Sequence, residues 1–165
     1  MQVDSKLKHG SRFTLSVPKG EKNTTAELPL PEMDHLSFAI PGLCVMVIDD
    51  DALVRKSMDI LLQGWGYTVV TVESEDEAVH AITLGDFSPN VLIADYQLRG
   101  HKTGVDAIER VFAVLQKTIP ALLITGDILP EHLRQAEKSG FPILHKPVMP
   151  VTIRTFLVRC QCKIT

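Results

Sequence analysis

A chain of 165 residues is long enough for one domain with a full hydrophobic core, with some length left over. An apolar fraction of 45% with 22% charged residues is that of an ordinary soluble globular protein, and a net charge of −3 offers no basic field for a phosphate backbone, so nucleic acid is not an expected partner. The longest apolar runs are strand-sized, well short of the roughly 20 residues that cross a bilayer, and Met1-Gln2-Val3-Asp4-Ser5 does not begin a signal peptide. A cytoplasmic protein without direct membrane contact is expected. Cys44, Cys160 and Cys162 are odd in number, which favours reduced thiols, and Cys160-x-Cys162 lacks the second ligand pair of a metal site.

In chain order, the first element is a strand in which Phe13, Leu15 and Val17 alternate with Arg12, Thr14 and Ser16. One strand cannot bury itself, so its partner sheet is expected to be missing or supplied by a neighbouring chain. Residues 19–42 are rich in Pro, Gly, Glu, Lys, Asn and Thr, with Pro29, Pro31 and Pro41 breaking regular structure, and read as a linker. The organisation expected is therefore residues 1–18, a linker over 19–42, and a domain over 43–165.

From residue 43, strand runs alternate with helical patterns. Strands are predicted at 44–48, 67–72, 90–95, 121–125 and 142–145, and helices at 52–63, 75–84, 105–116, 131–139 and 151–160. Continuous apolar strands such as Val91-Leu92-Ile93-Ala94 belong in a parallel sheet covered by helices on both faces. Ser74-x-x-Glu77 makes a capping box, Pro130 suits a first helical turn and Gly140 a helix C-cap. Val54, Met58, Leu61 and Leu62, and likewise Ile108, Val111, Phe112 and Leu115, give one buried face per helix. These are core positions.

Three of the strands end on reactive polar groups: Val45-Met46-Val47-Ile48 runs into Asp49-Asp50-Asp51, Val91-Leu92-Ile93-Ala94 into Asp95, and Ala121-Leu122-Leu123-Ile124 into Thr125. If the strands are parallel, these ends meet at the sheet edge where open α/β folds bind ligands. Adjacent carboxylates repel and hold their protons unless a cation neutralises them, and Mg²⁺, which prefers hard oxygen ligands, is the candidate. Asp51 reads as the N-cap of the following helix, whereas Asp49 and Asp50 read as metal ligands because Asp95 ends a second strand. Asp95 is the candidate nucleophile toward a phosphoryl group. A metal ion and an opposing cation, Lys146, would offset the repulsion between two anions. Thr125 adds a hydroxyl donor, and Gly126 allows close backbone approach.

Asp49-Asp50 after the first strand of this domain, Asp95 after the third, Thr125-Gly126 after the fourth and Lys146-Pro147 after the fifth resemble the receiver domain of two-component response regulators, over residues 43–160. The resemblance implies a flavodoxin-like α/β fold, a five-stranded parallel sheet of order 2-1-3-4-5 with helices on both faces. It implies Asp95 as phosphoacceptor, with Asp50, Asp95 and the backbone carbonyl of Gln97 as Mg²⁺ ligands and Asp49 acting through metal-bound water. It further implies Lys146 pairing with the phosphoryl group and Thr125 shifting to report it. The expected partners are a histidine kinase or a histidine phosphotransfer protein, and homodimerisation is open. Three departures stand out. Ile143 sits where the family often has an aromatic switch residue, the loop 97–103 is about one residue longer than usual, and it lacks the usual proline. Gln97 and Asp127 occupy places that tune hydrolysis.

Gly10-Ser11-Arg12-Phe13-Thr14-Leu15-Ser16-Val17-Pro18 resembles the last strand of a histidine-kinase ATPase domain, and this resemblance implies that the chain is the carboxy-terminal receiver of a hybrid sensor kinase. The kinase's nucleotide-binding boxes are absent, so no ATP chemistry is expected, and self-phosphorylation and self-dephosphorylation remain. Two other readings compete. A haloacid-dehalogenase-like phosphatase would use Asp49 as nucleophile and Asp51 as acid/base, but leaves Asp95 without a role. A constitutive interaction module would have an intact but idle pocket.

Overall fold

A computed structural model describes residues 2–6, 10–14, 16, 43–85, 87–126, 134 and 136–164. The chain divides into two compact units, Met1–Leu36 and Ser37–Thr165. In the first, β1 (Gln2–Lys6) pairs antiparallel with β2 (Gly10–Thr14), with Val3 opposite Phe13. This corrects the expectation of a lone strand: its partner lies just upstream in the same chain. Gln2–Lys6 carries one apolar residue of five, too few to betray a strand by alternation. The ribbon nevertheless keeps an unburied face, since Phe13 is 70% exposed. Leu15 and Val17 lie outside the described residues.

The second unit is built on five parallel strands: β3 (Cys44–Ile48), β4 (Thr68–Val72), β5 (Val91–Asp95), β6 (Ala121–Thr125) and β7 (Ile143–His145). Their order in the sheet is β4-β3-β5-β6-β7, which is 2-1-3-4-5 when counted from β3, as expected. Helices α1 (Ala52–Gly64), α2 (Glu75–Thr83), α3 (Gly104–Leu115) and α4 (Pro150–Ile164) connect or close the strands. Of the helix predicted at 131–139, residues 134 and 136–138 are helical, while Pro130 and residues 131–133 and 135 lie outside the described residues.

Strand alternation sorts the core into two layers. Met46, Ile48, Leu92, Ala94 and Leu123 face Ala78 of α2 and Ala107, Ile108 and Val111 of α3. Val45, Val47, Val91, Ile93, Leu122 and Ile124 face Met58 and Leu62 of α1 and Ile153 and Leu157 of α4. Both faces of the three central strands are thus covered, which is why those strands are apolar up to the polar residues, Asp95 and Thr125, that end β5 and β6. Each Val, Leu, Ile or Met among these contributes on the order of 1.5–3 kcal/mol on full burial. Cys44 is half-buried at the start of β3 and Cys160 is buried in α4.

The helix signals held at some ends and shifted at others. Asp51 caps α1, accepting from the Leu53 and Val54 amides at 2.7 and 3.4 Å. Ser74 accepts from the Glu77 amide, but the Glu77 carboxylate reaches past the cap to the Glu73 amide at 2.9 Å, so the predicted box is only half closed. The reciprocal box occurs instead at the start of α3, between Thr103 and Asp106. Asp in place of Glu, with Gly104 following the cap, hides it from the usual pattern. Gly140 takes φ +75, the left-handed geometry of a helix end.

Candidate functional site

The chain reverses its direction of winding between β3 and β5, since β4 lies on one side of β3 and β5 on the other. At such a switch point the loops leaving the two strands diverge and open a crevice at their carboxyl ends. Asp49 and Asp50 leave β3 there and Asp95 ends β5 there. One carboxylate oxygen from each of the three lies within 4.8 Å of the others. The predicted cluster is therefore a spatial one.

Backbone bonds hold these ends in place. The Asp49 amide donates to the Val72 carbonyl at 3.1 Å, and the Arg55 guanidinium donates to the Asp49 carbonyl at 2.7 Å. Tyr96 N–H donates to Ile124 O at 2.7 Å, keeping Asp95 beside the end of β6. Lys146 N–H donates to the Thr125 carbonyl at 2.8 Å, which brings the end of β7 to the same edge. The peptide between Lys146 and Pro147 is cis. From there Lys146 Nζ donates to Asp95 Oδ2 at 2.8 Å and lies 3.7 Å from Asp49 Oδ2.

Burial makes these charges consequential. Asp49 is 4% exposed and Asp95 9%. Burial pushes the Asp49 carboxyl above its ordinary value; the Asp51 amide, which donates to Oδ1 at 2.8 Å, works against this, and the negative charge of Asp95 adds to it. For Lys146, burial by itself favours losing the proton, but the bond to Asp95 and the charges of Asp95 and Asp49 outweigh it and hold the ammonium above its usual value. Three hard oxygen donors at one point, with a carboxyl reluctant to ionise there, suit a small divalent cation. The donor set fits Mg²⁺.

Thr125 is buried at the end of β6, in register with His145 of β7 and next to the strand that carries Asp95. Gly126 follows it; a Cβ there would stand 3.6 Å from the Lys146 side chain, an ordinary contact, so sterics alone do not demand glycine. Gln97 is paired with Thr103 across the base of the loop after β5. Ile143 is half-buried against the layer of α2 and α3. Asp127 lies outside the described residues.

Three contributors escaped the sequence reading. Arg99 Nε lies 3.2 Å from Asp50 Oδ2. Arg55 supports Asp49 from α1. Gly104 packs directly on the main chain of Asp95, where a Cβ would stand 2.3 Å from the carbonyl oxygen. Only Gly104 had a usable signal, a glycine opening a helix soon after a strand end.

Comparison with known proteins matches the fold to a family. The family model described as the response regulator receiver domain matches residues 45–157. A two-component response regulator of Oryza sativa subsp. japonica, ORR6, is 34% identical over 121 residues, covering 71% of this chain and 70% of the relative. The chemotaxis protein CheY4 of Vibrio cholerae superposes with a TM-score of 0.61 at 27% identity, covering 72% of this chain and 98% of that one. The PhyR receiver domain of Erythrobacter litoralis gives a TM-score of 0.63 at 25% identity, covering 74% and 92%.

Proposed function

We propose, because the chain belongs to the response regulator receiver domain family, that Asp95 is the residue through which it serves as a phosphoacceptor in two-component signalling. Receivers of this family interact with histidine kinases or phosphotransfer proteins and bind Mg²⁺ through their acidic pocket. The observation that carries the assignment is the bond from Lys146 Nζ to Asp95 Oδ2, made inside a cluster of three carboxylates. It gives Asp95 the role that the phosphatase reading denied it.

An Asp95 oxygen displaces the imidazole of a phosphohistidine: an O–P bond forms as the N–P bond breaks, and the imidazole nitrogen keeps the electron pair. Asp49, Asp50, Asp95 and the Gln97 carbonyl would hold Mg²⁺, which when bound shields the anionic nucleophile from the anionic phosphoryl group. Lys146 stabilises negative charge on the phosphoryl oxygens from the opposite side. Thr125, next to Asp95 at the strand ends, supplies a hydroxyl that senses the new group and biases the surface presented to a partner.

The wider assignments follow from the same reading. We take the chain to act in the cytoplasm; among the described residues no helix is long and apolar enough to cross a membrane. The β1–β2 ribbon, carrying Gly10-Ser11-Arg12-Phe13-Thr14, supports an origin beside a histidine-kinase ATPase domain in a hybrid kinase, with a phosphotransfer protein or a second copy as partner. Labelling by acetyl phosphate with Mg²⁺ tests the central claim. Asp95→Asn should abolish acid-labile incorporation while the protein stays folded, and persistent labelling of that variant places the nucleophile elsewhere.

A further inference from the structure

The loop from Gln97 to Thr103 is tied at its base and charged at its tip. Gln97 bridges Thr103, Leu98 is buried, and the Leu98 amide donates to the Lys102 carbonyl at 3.1 Å. Lys102 pairs with the carboxylate of Glu75, a buried acid at the start of α2 that also receives Arg110 of α3 at 2.5 Å. Gly100, at φ +78, supplies the left-handed turn at the tip. The loop base is therefore fixed by groups outside the acidic cluster, and Arg99 projects from it onto Asp50, with Nε 3.2 Å from Oδ2.

The consequence concerns the ion. Lys146 already neutralises Asp95 and Asp49, and Arg99 is the cation on Asp50, one of the three clustered carboxylates. A divalent ion held by these three must take an oxygen donor from a residue that a guanidinium already engages. We infer that Arg99 is a resident competitor for the metal site, displaced from Asp50 when the ion enters, and so a positioning residue that sets how tightly Mg²⁺ is held. The inference rests on the metal-binding reading above. Arg99 is 80% exposed, so water and salt screen the pair and its effect is a modest tuning.

Titration calorimetry of the full chain with MgCl₂ alone tests this. Arg99→Gln should bind Mg²⁺ about two- to five-fold more tightly than the parent at low ionic strength, with the difference shrinking as salt rises. Lys102→Gln removes the same unit of charge from the other side of the loop, where it is matched to Glu75 and Asp76, and should change affinity by less than about half as much in logarithmic terms. Affinity unchanged or weakened in Arg99→Gln, or an equal gain in Lys102→Gln, overturns direct competition. If the parent takes up no Mg²⁺, or Asp50→Asn binds as well as the parent, the metal reading itself fails and the competitor role with it. Normal parent binding that Asp50→Asn weakens, alongside an inert Arg99→Gln, defeats the competitor role alone.

Discussion

Gly104 shows how narrowly a single residue can hold a nucleophile. A methyl group there would stand 2.3 Å from the Asp95 carbonyl oxygen and 3.0 Å from Leu123 Cδ2, and neither neighbour can yield, since one is main chain and the other lies in the core. Gly104→Ala is therefore expected to cost about 3 kcal/mol in chemical denaturation and to slow acetyl-phosphate labelling where the variant is still folded. A loss below about 0.5 kcal/mol would mean that α3 slides away freely. At this scale the sequence was eloquent about chemistry and silent about support. Aspartates after apolar strands announce themselves because capping the next helix accounts for Asp51 but not for Asp49 or Asp95. Arg55 and Arg99 look like ordinary surface cations, and only their three-dimensional neighbours distinguish them.

Among elements, the contact between the start of β4 and α4 offers a pH-dependent probe remote from the site. The Tyr67 hydroxyl lies 3.4 Å from Gln161 Nε2, with both residues buried. Burial raises the Tyr67 phenol above its ordinary value, with the nearby Arg154 charge and the Gln161 bond opposing it. A phenol held above its usual value keeps its proton longer in the folded chain than in the unfolded one. Its contribution is whole below the unfolded value and is lost as pH rises through the folded one. Stability should accordingly fall above about pH 10, and Tyr67→Phe should flatten that fall while costing only about 0.5 kcal/mol at pH 7. Urea denaturation of both proteins across the alkaline range decides it, and an identical alkaline slope in Tyr67→Phe refutes the assignment. The bounds of α1 and β4 were legible to within a residue or two, because apolar periodicity marks buried faces, whereas α4 runs to Ile164, four residues beyond its predicted end. The caps were less legible: the Glu77 carboxylate chose between two neighbouring amides on local geometry that composition does not encode.

For the molecule as a whole, among the described residues both core layers are built from residues 43 onward. Removing the first unit, residues 1–36, should therefore shift the midpoint of thermal unfolding by no more than about 2 °C, measured by circular dichroism. A larger drop would show that the first unit contributes to the stability of the second. The β1–β2 ribbon, with Val3 and Phe13 both largely exposed, is the kind of two-stranded piece that is marginal by itself.

The order of apolar and polar residues alone determined the alternating strands and helices, the parallel sheet covered on both faces, and the strand ends on which the reactive groups sit. Those follow from local periodicity and from the burial that a continuous apolar strand demands. Tertiary structure alone decided that Asp49, Asp50 and Asp95 come within 4.8 Å of one another, that Lys146 answers Asp95, and that Arg99 answers Asp50. These pairings span some fifty residues of chain, and such distances are set by which strands lie side by side in the sheet, a property of packing that no local stretch of sequence carries.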